Sequence, residues 1–210
     1  DILPENLKMD LEYEVKGHSY ALQPLLFYLT RDDAVLSRRL ALGIKDNIVN
    51  KLERCYDKDK FCDRLYILIT GALSYTTEEI VATPSKSANT ARQTIATMIR
   101  RTAAGHANHA LPGLTSQFRP LKPGDVMCEM AWWTRWLHKG SCSAERKSEV
   151  YELSGPTFEE IVCTDVNNCT RVLRYAGNFV IWMNKQGEER LDDLSTPVQR
   201  HEGSTVKNGE

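Results

Sequence analysis

The sequence lacks any apolar run long enough to cross a bilayer. The longest, Leu65 to Leu73, is broken by Thr70 and Gly71, and falls well short of the about 20 residues a membrane helix needs. It also lacks an excess of either charge: 27 Lys and Arg against 28 Asp and Glu leave a net charge of −1. That balance argues against a protein whose main task is to grip nucleic-acid phosphate or an anionic membrane. No phosphate loop and no nucleophile motif names a reaction, and no cofactor is implied. The cysteine spacings CysX6Cys, CysX13Cys and CysX5Cys include no CysX2Cys pair of the kind found in zinc ribbons and redox motifs.

What is present is ordinary globular material. The hydrophobic fraction is 41% over 210 residues, enough for the core of one large domain. The six cysteines, Cys55, Cys62, Cys128, Cys142, Cys163 and Cys169, are even in number. Together with a chain that begins at Asp1 rather than Met, they predict three disulfides in a secreted protein processed from a precursor with a signal peptide. Neighbour pairing is expected: Cys55 with Cys62, Cys128 with Cys142, and Cys163 with Cys169 across a tight turn. Asn168-Cys169-Thr170 is a glycosylation sequon, usable in that compartment at Asn168.

Along the chain, Leu11, Tyr13 and Val15 alternate with charged residues, as a half-buried strand would. From Thr30, with Asp33 three residues on, Leu36, Leu40, Ile44, Ile48 and Leu52 recur every four residues and predict a helix to about Cys55. A second helix is expected over Phe61 to Leu73 and a third over Ser87 to Ala103. The three Pro and three Gly of residues 105–124 read as a loop. Short runs then predict strands at Val126 to Leu137, Glu149 to Leu153, Phe158 to Thr164, Thr170 to Tyr175 and Phe179 to Met183. The expected architecture is α+β: three amphipathic helices packed on a C-terminal antiparallel β-meander. It forms one domain over 1–184, helical over 30–104 and β-rich over 125–184, followed by a mobile polar tail over 185–210.

Several side chains are candidates for a site. Trp132, Trp133 and Trp136 are three of the four tryptophans within five positions. On a strand, Trp133 and Arg135 would share the face opposite the larger pair, which makes them the expected binding residues; core packing of the tryptophans is the favoured alternative. HisX2His at His106 and His109 lacks further ligands nearby and reads as surface. Glu159 and Glu160 facing Arg171 and Arg174 read as cross-strand pairs. Arg38-Arg39 and Arg100-Arg101 read as solvated helix faces. Glu160, Arg174 and His138 also offer the base, phosphate clamp and acid of a ribonuclease-like site.

The run Cys163, a short Asn-rich turn, Cys169-Thr170-Arg171-Val172, then Gly177-Asn178-Phe179-Val180-Ile181-Trp182-Met183-Asn184 resembles the closing hairpins of fungal secreted effector and killer-toxin-like proteins. Over residues 158–184, the resemblance implies an exported, disulfide-stapled interaction protein. Its partner would be a host or target-cell protein or a surface glycan, with no transmembrane segment and no strong nucleic-acid signal. The function expected first is therefore a secreted effector- or toxin-like protein, leaning away from an enzyme. A small secreted hydrolase and a structural envelope or assembly protein are the alternatives.

Overall fold

In a computed structural model of the chain, residues 3–80 and 114–197 are described. Among the described residues, helices come first and last and the strands lie between them. α1 (Glu5–Lys16), α2 (Pro24–Thr30) and α3 (Ala34–Gly43) come first. Ten strands follow among the described residues: β1 Lys45–Val49, β2 Arg54–Tyr56, β3 Phe61–Cys62, β4 Arg64–Thr70, β5 Leu73–Ile80, β6 Leu114–Leu121, β7 Val126–Met127, β8 Trp136–Leu137, β9 Ser141–Ala144 and β10 Ser148–Ser154. α4 (Gly155–Val162) and α5 (Val166–Gln186) come after β10. The fold is α+β, as expected, but its layout is not.

The strands form two antiparallel four-stranded sheets, ordered β1-β10-β4-β7 and β2-β9-β5-β6, with β3 and β8 paired alongside. One core lies between the sheets and includes Val49, Tyr56, Leu68, Leu73, Tyr75, Met127, Cys142 and Val150. A second lies outside the first sheet, where Leu65, Ile67, Tyr151 and Leu153 meet Leu25, Leu29, Leu36, Leu40, Phe158 and Val162 of the helices. β4 serves both, because alternation sends Leu65 and Ile67 to the helices and Tyr66 and Leu68 into the sandwich. A strand buried on both faces reads as a continuous apolar run. This is why Leu65 to Ile69 is strand rather than the expected second helix.

The first expected helix holds only in its opening turns. Asp33 caps α3 by accepting from Leu36 N–H at 2.9 Å, and Leu36, Leu40 and Ile44 are buried. The chain then turns extended at Ile44, so Ile48 and Leu52 lie 56% and 81% exposed on and after β1. Gly43 sits at the crossing with α4, where a Cβ would stand 2.7 Å from Ile161 Cδ1. The expected third helix lies outside the described residues. Residues 114–121 of the expected loop are the edge strand β6, where Pro120 is tolerated.

Leu11 to Val15 belongs to α1, not a strand. Its buried Lys16 donates to Ile44 O at 2.7 Å and pairs with Glu12 and Asp46, tying the helix to β1. Of the expected meander, Glu149 to Leu153 is indeed strand within β10. Residues 158–162 and 166–183 are helical instead. Ser154 and Asp165 cap α4 and α5, and Val172, Tyr175, Phe179 and Met183 repeat at helical spacing along the packed face of α5. The stretch that resembles effector hairpins thus contains no hairpin. The expected mobile tail is pinned in its described part, since Leu191 and Asp193 are buried.

Candidate functional site

The most unusual group in the sandwich is a carboxylate with no exposure at all. After α5, Gly187 and a 3₁₀ turn at Glu188–Arg190 reverse the chain. Leu191 to Ser195 then returns as a strap across the sandwich. An Asx turn shapes it: Asp192 Oδ1 accepts from Leu194 N and Ser195 Oγ, and Asp192 pairs with Arg119 of β6. The strap delivers Asp193, which is 0% exposed. Its Oδ2 accepts from Tyr75 Oη at 2.9 Å, Lys139 N at 3.0 Å and Gly140 N at 3.1 Å. Its Oδ1 accepts from Trp136 Nε1 at 2.6 Å and lies 3.4 Å from His138 Nδ1. The strap backbone joins in, with Cys128 N donating to Asp193 O at 2.6 Å.

Donors from β5, from β8 and from the backbone after β8 thus converge on one small anionic group. Two successive amides aimed at one oxygen form an anion nest. Gly140 is required there, because a Cβ would lie 2.6 Å from both Thr76 O and the Tyr75 ring. A buried charge is tolerated only when paired and hydrogen-bonded. His138 supplies the pairing: burial opposes its charge, but hydrogen bonds to Asp193 and Cys62 outweigh burial and push its pKa up to about 9. Tyr56 stacks flat on the imidazole at 3.8 Å and 6°.

Behind the seat, Cys62 and Cys128 approach the same imidazole. Cys128 Sγ lies 3.6 Å from His138 Nδ1, and Cys62, Cys128 and His138 are all buried. Cys128 holds left-handed backbone, φ 64° and ψ 30°, a conformation that costs a non-glycine residue about 1–3 kcal/mol and is kept where surroundings demand it. A hydrogen bond from Cys128, with His138 adding, brings the Cys62 thiol down to about 6 against the opposing effect of burial. Burial drives Cys128 the other way.

A cleft of about 960 Å³ opens beside the strap, between Phe27, Tyr28 and Arg31 on one side and Leu121, Glu129 and Thr196 on the other. Burial raises the pKa of Glu129, whose carboxyl accepts from Tyr175 Oη at 2.7 Å. Gln23 and Trp133 lie against the same carboxyl, although neither Gln23 Nε2 nor Trp133 Nε1 makes a hydrogen bond of good geometry.

The residues singled out from sequence are scattered by this structure. All six cysteines are free. Cys55 lies against Cys142 and Cys62 against Cys128, not in the expected neighbour order. Cys163 and Cys169 do approach, at 2.9 Å between sulfurs, beyond the about 2.05 Å of a bond. Asn168 is buried and donates to Asp33 Oδ2 at 2.9 Å, so the folded chain does not offer it to a glycan. Trp133 follows a 3₁₀ turn rather than lying in a strand, so the alternation that set it apart does not operate. Its half-buried ring wedges among Trp132, Phe158, Tyr175 and Phe179, and Arg135 is exposed.

The ribonuclease-like constellation does not assemble. His138 is inside the sandwich, while Glu160 and Arg174 are exposed on α4 and α5. Arg171 lies over the Tyr28 ring at 4.3 Å rather than against a glutamate. His106, His109, Arg100 and Arg101 lie outside the described residues. Sequence reasoning missed Asp193, Tyr75 and Gly140 altogether. The one available signal was an Asp amid Leu191 and Leu194 in an otherwise polar stretch.

No family model matches the chain, and no curated protein matches it. Among solved structures, it is similar to a cyclic nucleotide-binding-like protein from Brucella abortus bv. 1 str. 9-941. The identity there is 17% and the TM-score 0.43, over 66% of this chain and 94% of that one. It is also similar to the N-terminal domain of a transcriptional regulator from Streptomyces coelicolor A3(2). That match is 12% identical with a TM-score of 0.53, over 78% of this chain and 90% of that one. Among the described residues no helix is long and apolar enough to cross a membrane. The expectation of a glycosylated, disulfide-stapled effector or toxin is overturned by the unbonded cysteines, the buried Asn168 and this fold. What the chain shares with the Streptomyces domain is its fold.

Proposed function

We propose that this chain is a ligand-responsive regulatory domain, whose sandwich recognises the phosphate of a nucleotide at the seat that Asp193 occupies in cis. The observation that carries the reading is the convergence of Tyr75 Oη, Trp136 Nε1 and the Lys139 and Gly140 amides on one buried carboxylate. Such a set is indifferent to whether its anion is a carboxylate or a phosphate, because it consists of donors directed at negative charge. The aromatic faces of Tyr56, Tyr66 and Trp136 stand in the same interior, as a base-bearing ligand requires. The adjoining cleft is of the size that small-molecule sites have. A regulator from Streptomyces uses this fold for its N-terminal domain, in keeping with a sensing role.

In this reading the strap competes with ligand. A nucleotide that takes the seat expels Asp193, and the strap and its attachment to α5 move with it. The free-energy difference between strap-in and strap-out states sets the apparent affinity. The test is calorimetric titration of the full chain and of Asp193→Ala with adenosine and guanosine 3′,5′-cyclic and 5′-monophosphates, with inorganic phosphate as control. Removing the internal competitor should tighten binding of at least one nucleotide by about tenfold or more. Absence of binding by both proteins would overturn the reading.

A further inference from the structure

The two thiols and the imidazole behind the seat form a second centre, which shares only His138 with the groups that hold Asp193. Cys62 comes from β3, Cys128 from the turn after β7, and His138 from just after β8. Their sulfur and nitrogen donor atoms all lie within 4.8 Å of one another. A tetrahedral ion with metal–sulfur bonds of about 2.3 Å and metal–nitrogen bonds of about 2.0–2.1 Å has a sulfur–nitrogen edge of about 3.6 Å. The separation of Cys128 Sγ and His138 Nδ1 is 3.6 Å. Two independent features hold the set in place. Cys128 is fixed in left-handed backbone, and Tyr56 stacks on the imidazole and fixes its plane.

We infer that Cys62, Cys128 and His138 bind a d¹⁰ cation of borderline or soft character, zinc first among them. Two sulfurs and one imidazole select against calcium and magnesium, which take oxygen ligands. Loading forms two metal–sulfur bonds and one metal–nitrogen bond, and the protons of the thiols and of the ligating nitrogen leave to solvent. No electron is transferred. Three protein ligands leave a fourth position for water or an exogenous donor. The ion would tie β3 to the segment from β7 to β8, and so stiffen one wall of the sandwich. Since the ligands are far apart in sequence and no CysX2Cys spacing advertises them, only the fold brings them together. The inference does not depend on the nucleotide reading.

The experiment measures metal in the full chain, purified with a phosphine reductant and no chelator. Elemental analysis should find stoichiometric zinc. After its removal, cobalt(II) should give the intense visible bands of a tetrahedral site together with a thiolate-to-cobalt charge-transfer band. Cys62→Ser and Cys128→Ser should each lose about half or more of the charge-transfer intensity, whereas the exposed Cys163→Ser should keep it. If the serine variants do not fold, the spectrum of the wild-type chain decides alone. A reduced, folded wild-type chain that holds no stoichiometric metal and gives no charge-transfer band overturns the inference. So does a band of undiminished intensity in both Cys62→Ser and Cys128→Ser. Peptide mapping that joins Cys62 to Cys128 in protein that takes up no cobalt after reduction overturns it as well.

Discussion

Asp193→Ala removes the one acceptor shared by Tyr75, Trp136, Lys139 and Gly140, and its effect on stability can be worked from the seat. A hydrogen bond to a charged partner contributes about 1.5–3 kcal/mol net, and a donor left buried without a partner costs about 1–3 kcal/mol. Tyr75 is 0% exposed and Trp136 6%, so their donors have little access to water. Lys139 is half-buried and recovers water more readily. His138 loses its counter-charge but can shed its proton, which limits that loss. Removing one partner of a buried charged pair costs about 3–5 kcal/mol, and the strap can lift off to bound the damage. The expected loss is therefore about 3–5 kcal/mol in a urea melt, with a smaller loss for Asp193→Asn, which keeps an acceptor oxygen. Trp136 fluorescence reports the seat directly, because its Nε1 donates to the residue removed. A shift below about 1 kcal/mol with an unchanged m-value would show that the strap is not held by this carboxylate. The competition between strap and ligand would fall with it.

Four further perturbations probe the rest of the molecule. Leu40 is fully buried between α3 and the first sheet, so Leu40→Ala should cost about 2–5 kcal/mol in a denaturant melt. Trp133→Ala strips a half-buried ring that touches both cores, and should lower stability by about 2–4 kcal/mol by the same measurement. Gly177 lies within α5, and a Cβ added there would meet nothing within 4 Å, so Gly177→Ala should raise stability by about 1 kcal/mol. The hydrogen bond from Leu36 N–H, with Asn168 adding, holds the Asp33 carboxyl below its usual range. Its contribution is present above the unfolded value of about 3.9 and is lost as pH falls through the lower folded value. Melting temperature against pH should therefore fall less steeply in acid for Asp33→Asn than for the wild-type chain.

The parts of the fold legible in the sequence are those where local chemistry and tertiary placement agree. Asp33 followed by Leu36 and Leu40 announces a helix start, and the helix is there with its cap. Glu149 to Leu153 is one of the short runs expected to be a strand, and it is a strand. Where two periods fit the same residues, placement decided. Ile44, Ile48 and Leu52 continue a four-residue stripe, yet β1 pairs Ile48 with Glu149 of β10 and leaves it outward. Phe158 to Met183 is rich in β-branched and aromatic residues, which favours strand by propensity. The caps Ser154 and Asp165 and the spacing of Val172, Tyr175, Phe179 and Met183 were the better signal, because a helix is set by which face it buries.

The site was less legible than the fold, for a reason its residues make plain. Tyr75, Trp136, Gly140 and Asp193 span 118 residues between the two ends of one hydrogen bond, and none belongs to a local motif. A seat built of one phenol, one indole and two backbone amides has no spacing to read; only the sheet order β9-β5 sets Tyr75 opposite Cys142, two residues beyond Gly140. The cysteines show the same logic in reverse. Their even number suggested neighbour pairs, but Cys62 sits on β3 opposite Trp136 of β8, and that pairing carries it to His138 and Cys128 instead. Asp193 is the sharpest case. In residues 185–210, where only Leu191, Leu194, Val198 and Val206 are aliphatic, burial looked unfavourable. The strap is nonetheless drawn in by a charge whose partners all wait in the sandwich, so its order depends on that anion more than on apolar area. An anion-held strap of this kind is one that another anion can release.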